Sequence, residues 1–130
     1  METDLATKRD AMFALSGISD SPELQGDLIK EGIILVIGEA AKCGDARVQR
    51  DAARMFSNLS QINEQRLELI NQGALPAVLV LAKSLDIASQ RYSTLTLCNL
   101  CSSDLKVTIV EAGAIRPLIF LARYVMTMRG

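Results

Sequence analysis

Three groups of side chains in this sequence are of types that could do chemistry. The first is Cys98-Asn99-Leu100-Cys101, a C-x-x-C pair. Thiolates at that spacing serve redox exchange or supply half of a tetrahedral zinc site. Four ligands would need more donors, and the chain has no His and only one further cysteine, Cys43. The second group is acidic. Asp10 and Asp51 could be read as paired carboxylates for acid–base work, but they hold equivalent places in a repeated segment, so the pairing reads as repetition. The absence of His also removes the commonest general base. Glycines are scattered singly, so no phosphate-cradling loop is present. The third group is a stripe: Arg50, Arg54 and Asn58 stand at i, i+4 and i+8, one face of a helix. Neither a metal, a cofactor nor a catalytic residue is expected, and binding rests on the stripe.

The stripe belongs to a segment, DARVQRDAARMFSNLS (Asp45 to Ser60), that recurs every 41 residues, at DLATKRDAMFALSGIS (Asp4 to Ser19) and DIASQRYSTLTLCNLC (Asp86 to Cys101). In the other copies the stripe reads Arg9, Phe13, Gly17 and Arg91, Leu95, Asn99. The same alignment sets Cys98 opposite Ser57 and Ser16, and Cys101 opposite Ser60 and Ser19. The cysteines therefore occupy small-residue positions of a helix, and a structural role is expected. A fixed period of this length marks a solenoid.

Three helices per unit must position the stripe. The long one opens at Asp4, Asp45 or Asp86, each placed as an N-cap. Val48, Ala52, Met55, Phe56 and Leu59 then give the middle copy an apolar side. The last copy is poorer, with Ser89, Ser93, Thr94 and Thr96, but Leu97 and Leu100 keep its register. A short helix follows, with apolar faces of Leu24, Leu28 and Ile29; Leu67, Leu69 and Ile70; and Leu105, Val107, Ile109 and Val110. Ser21 and Pro22 make a cap and first-turn pair at the first of these. Each short helix ends at a glycine (Gly32, Gly73 or Gly113), the residue a sharp corner with positive φ requires. A third helix leaves each corner over 33–43, 74–84 and from 114 onward. These are apolar nearly all round, so cover on both sides is expected.

Composition fits helix on helix. About half of the 130 residues are apolar, chiefly aliphatic; aromatics are few and Trp is absent. A net charge of −1 gives no electrostatic footprint for nucleic acid. The first ten residues carry neither a secretory core nor a myristoylation glycine. The longest apolar stretch, Ala74 to Ala82 interrupted by Pro76, is too short to span a bilayer, so no direct membrane insertion is expected. Three cysteines cannot all pair within the chain, which fits a reducing compartment and a cytoplasmic or nuclear location.

Residues 62–103 resemble an armadillo repeat. The matching features are the Gly73-Ala74-Leu75-Pro76 corner, the Leu/Val core after it and the Asn58-Leu59-Ser60 ending. The resemblance extends over essentially the whole chain. It implies an all-α, right-handed superhelix of about three units, approximately 4–44, 45–85 and 86–130, cut from a longer array. It also implies that the long helices line a concave groove, where an Asn at the place of Asn58 and Asn99 holds a partner's backbone. A carboxamide has both a donor and an acceptor, so it can bind both groups of one extended peptide unit. The bland alternatives are an Asn that only helps end a helix and arginines that form a solvated face. The import adaptors of this family place a Trp four residues before that Asn. Here those positions hold Arg54, Leu95 and Phe13, so basic import signals are not the expected ligand. Arg9, Arg50, Arg54 and Arg91 favour an acidic, extended or helical segment instead, as in catenin-type members. The expected role is a non-enzymatic scaffold for protein or peptide partners in a eukaryotic cell. Val125, Met126 and Met128, apolar where a further unit would dock, make homo-oligomerisation through the end repeats the rival reading.

Overall fold

The computed structural model describes residues 2–129, with side chains described for 4–128. In chain order the helices are α1 (Glu2–Ser19), α2 (Pro22–Lys30), α3 (Ile33–Ala41), α4 (Ala46–Leu59), α5 (Asn63–Asn71), α6 (Ala74–Ala82), α7 (Ile87–Cys101), α8 (Lys106–Glu111) and α9 (Ile115–Tyr124). A π-helical turn, Val125–Arg129, continues α9. There is no strand among the described residues. The protein is an all-α solenoid. Long helices α1, α4 and α7 lie side by side, α3 packs on α4 and α6, and α6 packs on α7.

The corners form as their glycines demand. Gly32, Gly73 and Gly113 have φ of 90°, 86° and 93°, and no other described residue has positive φ. Two carbonyls at the end of each short helix are taken up just before the corner: Glu31 N–H bonds to Asp27 O and Gly32 N–H to Ile29 O. The next helix then starts at once in a new direction. Pro22 sits at the first position of α2 behind Ser21, whose side chain makes no capping bond.

Two of the long helices are capped by the expected aspartates. Asp45 Oδ2 accepts from Val48 N–H at 3.0 Å, and Asp86 Oδ2 from Ser89 N–H at 2.9 Å. Asp4 does not cap: α1 begins two residues earlier, which places Asp4 inside its first turn.

The core follows the aliphatic pattern of α4, where Val48, Ala52, Met55, Phe56 and Leu59 are buried. The weak copy, α7, buries Leu97 and Leu100 as its register requires, and Ser89, Ser93 and Thr96 with them. Two of the three hydroxyls are satisfied, Thr96 Oγ1 donating to Tyr92 O at 2.9 Å and Ser89 Oγ to Asp86 Oδ2 at 3.0 Å, whereas Ser93 Oγ is buried without a partner. The short helices bury fewer residues than their sequences offer. Leu69 and Ile109 enter the core, whereas Leu24, Leu67, Val107 and Val110 face outward.

The apolar third helices are not covered on both sides. Leu35 and Val36 of α3 and Val80 of α6 lie on the outer surface, and α9 exposes Ile115, Ile119 and Phe120. The solenoid has one core layer, and these helices are its outer wall. Among the described residues, no helix is long and apolar enough to cross a membrane.

Candidate functional site

The side-by-side packing of α1, α4 and α7 sets the three stripes in register. Arg9, Arg50 and Arg91 form one row; Phe13, Arg54 and Leu95 the next; Gly17, Asn58 and Asn99 the third. None of the eight residues expected to bind is buried: Arg50, Arg91, Phe13 and Leu95 are exposed, and Arg9, Arg54, Asn58 and Asn99 are half-buried.

Hydrogen bonding across the helices shows what the rows do internally. Arg9 reaches the aspartate that caps α4, with Nη2 2.5 Å from Asp45 Oδ1. Arg50 repeats the contact one unit on, with Nη2 2.7 Å from Asp86 Oδ1. Each aspartate thus caps its own helix and holds the arginine of the preceding one. The Arg9 guanidinium, with the Val48 amide, lowers the Asp45 carboxyl to about 2. Arg50 holds Asp86 lower still, and both arginines are raised in return. Arg54 pairs with Asp20 at the end of α1. Among the described residues, Arg91 is the arginine of this group without an ion pair.

The carboxamides are braced by serines. Asn58 Nδ2 donates to Ser19 Oγ at 2.9 Å and to Asp20 Oδ1 at 2.9 Å. Asn99 Nδ2 donates to Ser60 Oγ at 3.1 Å. Each serine hydroxyl in turn donates to the carbonyl three residues back, Ser19 to Ser16 O and Ser60 to Ser57 O. Both N–H bonds of Asn58 are therefore used and its Oδ1 remains as an acceptor. Asn99 keeps its Oδ1 and one N–H.

Several of these partners were not singled out from sequence: Asp20, Ser19 and Ser60 as acceptors, and two glutamines on the short helices. Gln25, buried, donates to Ser19 O at 2.8 Å and accepts from Gln65 at 3.0 Å; Gln65 also reaches Leu59 O. Arg66 Nε donates to Ser60 O at 2.7 Å, closing the end of α4. The available signal was spacing, since Gln25 and Arg66 stand one 41-residue unit apart and each donates to the carbonyl six residues back.

Past Arg91 the face opens into a groove of about 610 Å³ between α7 and α9, lined by Leu95, Cys98, Leu118, Leu121 and Met126. Val125, Met126 and Met128 are 45%, 75% and 70% exposed. Cys43, Cys98 and Cys101 are free thiols, and no cluster of metal-ligating side chains occurs among the described residues. Burial raises the Asp51 carboxyl, with Arg54, Arg47 and Arg50 opposing the shift.

The armadillo/beta-catenin-like repeat family matches residues 63–102, the span of α5 to α7. No curated protein matches the chain. Among solved structures it is similar to an engineered protein (25% identity, TM-score 0.80, covering 89% of this chain and 50% of that one). It is also similar to a computationally designed armadillo repeat protein for modular peptide recognition (23% identity, TM-score 0.82, 88% and 50%). A further designed armadillo repeat protein gives 24% identity and a TM-score of 0.78, with 87% and 49% covered. The chain thus spans about half the length of the structures it resembles. One armadillo-type repeat is thus matched across α5 to α7, and the chain shares the fold of designed armadillo repeat proteins.

Proposed function

We propose that the protein is a non-enzymatic scaffold that binds an extended protein segment across α1, α4 and α7. The observation that carries this reading is the pair Asn58 and Asn99, fixed in register by Ser19 and Ser60 with both carboxamide oxygens left over. Braced acceptors on adjacent helices suit the N–H groups of an extended backbone, and pre-bracing lowers the entropy lost on binding. One structurally similar designed protein was made for modular peptide recognition, which supports the same direction.

Charge selection is narrower than four arginines imply. Arg9, Arg50 and Arg54 are each matched by an aspartate, so their fields are largely cancelled. Arg91, beside the exposed Leu95, is the cation left for a partner carboxylate. The preferred ligand is an extended segment with an acidic residue near an apolar one, in the cytoplasm or nucleus. Selection from a random peptide library on the immobilised protein tests this. Enrichment of acidic-apolar segments is expected; enrichment of basic segments, or none, would overturn it.

A further inference from the structure

We propose that copies of this chain associate head to tail, with α1 of one copy seated in the groove between α7 and α9 of the next.

The repeat register identifies the two halves of the interface. Ala11, Ala14, Leu15 and Ile18 of α1 correspond to Ala52, Met55, Phe56 and Leu59 of α4. In α4 all four are buried, no more than 1% exposed, because α4 lies against α1 and α3. In α1 that face has no layer on it: Ala11 and Ala14 are exposed, Ile18 is 41% exposed and Leu15 half-buried. The opposite face of α1, with Met12, Ser16 and Ser19, is buried where α4 packs.

The other half is at the far end. Met12 and Ser16 correspond to Ala53 and Ser57, buried where α7 packs, and then to Thr94 and Cys98 of α7. Thr94 and Cys98 are not buried; they line the groove with Leu118 and Leu121. α9 supplies the second wall, as α3 does for α4. The groove is therefore the site of a long helix in this repeat, and α1 carries the apolar face that a long helix presents there.

Charge fixes the orientation. Arg9 pairs with Asp45 and Arg50 with Asp86, a separation of 36 residues each time. Continuing the series from Arg91 gives residue 127, which is Thr127. At the other end Asp4, the first aspartate of the series, forms no ion pair among the described residues. Seating α1 in the groove brings Asp4 of one copy to Arg91 of the next and completes the row. The contact uses different surfaces on the two copies, so it does not close on itself and yields open chains rather than a fixed dimer.

Sedimentation velocity on the full chain over a concentration series tests the proposal, with no peptide present, so its failure leaves the concave-face reading standing. The mean mass should rise past that of a dimer without a plateau. Arg91→Asp and Asp4→Arg, each alone, should weaken association roughly fivefold or more, as for an attractive pair made repulsive. Mixing the two variants should restore it, because Arg at position 4 then meets Asp at position 91 while native Asp4 meets native Arg91. Ile18→Lys should weaken association through the apolar half of the contact. A monomer at every concentration, a discrete dimer indifferent to Asp4, or a mixture no more associated than its components would overturn the proposal.

Discussion

Arg50 and Asp86 lie on successive long helices and share one carboxylate with a helix cap: Asp86 Oδ1 takes the guanidinium at 2.7 Å while Oδ2 takes the Ser89 amide at 2.9 Å. The first turn of α7 and the middle of α4 are thereby tied. Asp86→Ala should cost about 0.5–2 kcal/mol through the lost cap. Asp86→Asn, which can still cap, should cost less. Combined with Arg50→Ala in a double-mutant cycle, the coupling should fall within about 0–1 kcal/mol, since the pair is partly exposed. Urea melts of the four proteins check this. Equal losses for Asp86→Ala and Asp86→Asn would show that the pair, not the cap, dominates.

Acid should act through the same carboxylates. Asp45 is lowered to about 2, chiefly by Arg9, and Asp86 is lowered chiefly by Arg50. Groups with depressed folded pKa take up protons first in the unfolded chain, so their stabilisation is present above the ordinary carboxylate range. It is lost as pH falls from about 4 toward about 2. Thermal melts from pH 7 to pH 2 should show that fall. Arg9→Gln should make it shallower, and an unchanged profile in Arg9→Gln would remove the Arg9–Asp45 pair as its source.

The glycine corners make a paired experiment. Gly73 sits at φ 86°, and an added Cβ would meet no atom within 4 Å, so Gly73→Ala tests backbone strain alone. It should destabilise by about 1–2 kcal/mol. Gly38, inside α3 and equally unobstructed, should tolerate Ala and gain roughly 0.5–1 kcal/mol. Two changes of the same sign would contradict the left-handed corner.

Cys98 and Cys101 stand where the other long helices carry serines. Cys98→Ser with Cys101→Ser should melt within about 1 kcal/mol of the parent, and a reducing agent should not move the parent's melt. Stoichiometric zinc in purified protein would overturn the structural reading.

Much of this was legible because repetition exposes both backbone and core. The three glycines, two of the three caps and the buried side of α4 are periodic in the sequence, and each has a local cause. The aspartate of the first copy misled because α1 starts before it. The destination of the arginines was harder to read. Arg9 and Asp45 are 36 residues apart, so their meeting depends on how far one long helix is advanced against the next, which no single helix encodes. In sequence the row has the composition of a charged surface; in the structure three of its four arginines are tied to aspartates of neighbouring units, and Arg91 is left over. The exposure of α3 and α9 was missed for a related reason. An aliphatic helix looks alike whether it is the middle or the wall of a solenoid.

The most direct test of the binding claim is a titration of a library-selected peptide against four proteins: the parent, Asn58→Ala with Asn99→Ala, Ser60→Ala, and Arg91→Glu. Two hydrogen bonds at roughly 0.5–1.5 kcal/mol each should be lost in the carboxamide variant, with the helical spectrum retained. Ser60→Ala removes the brace but leaves the Asn99 carboxamide, so its affinity should stay nearer the parent's. Arg91→Glu should slow association and flatten the salt dependence. Unchanged affinity in the carboxamide variant, or an equal loss in Ser60→Ala, would contradict a peptide held by Asn58 and Asn99.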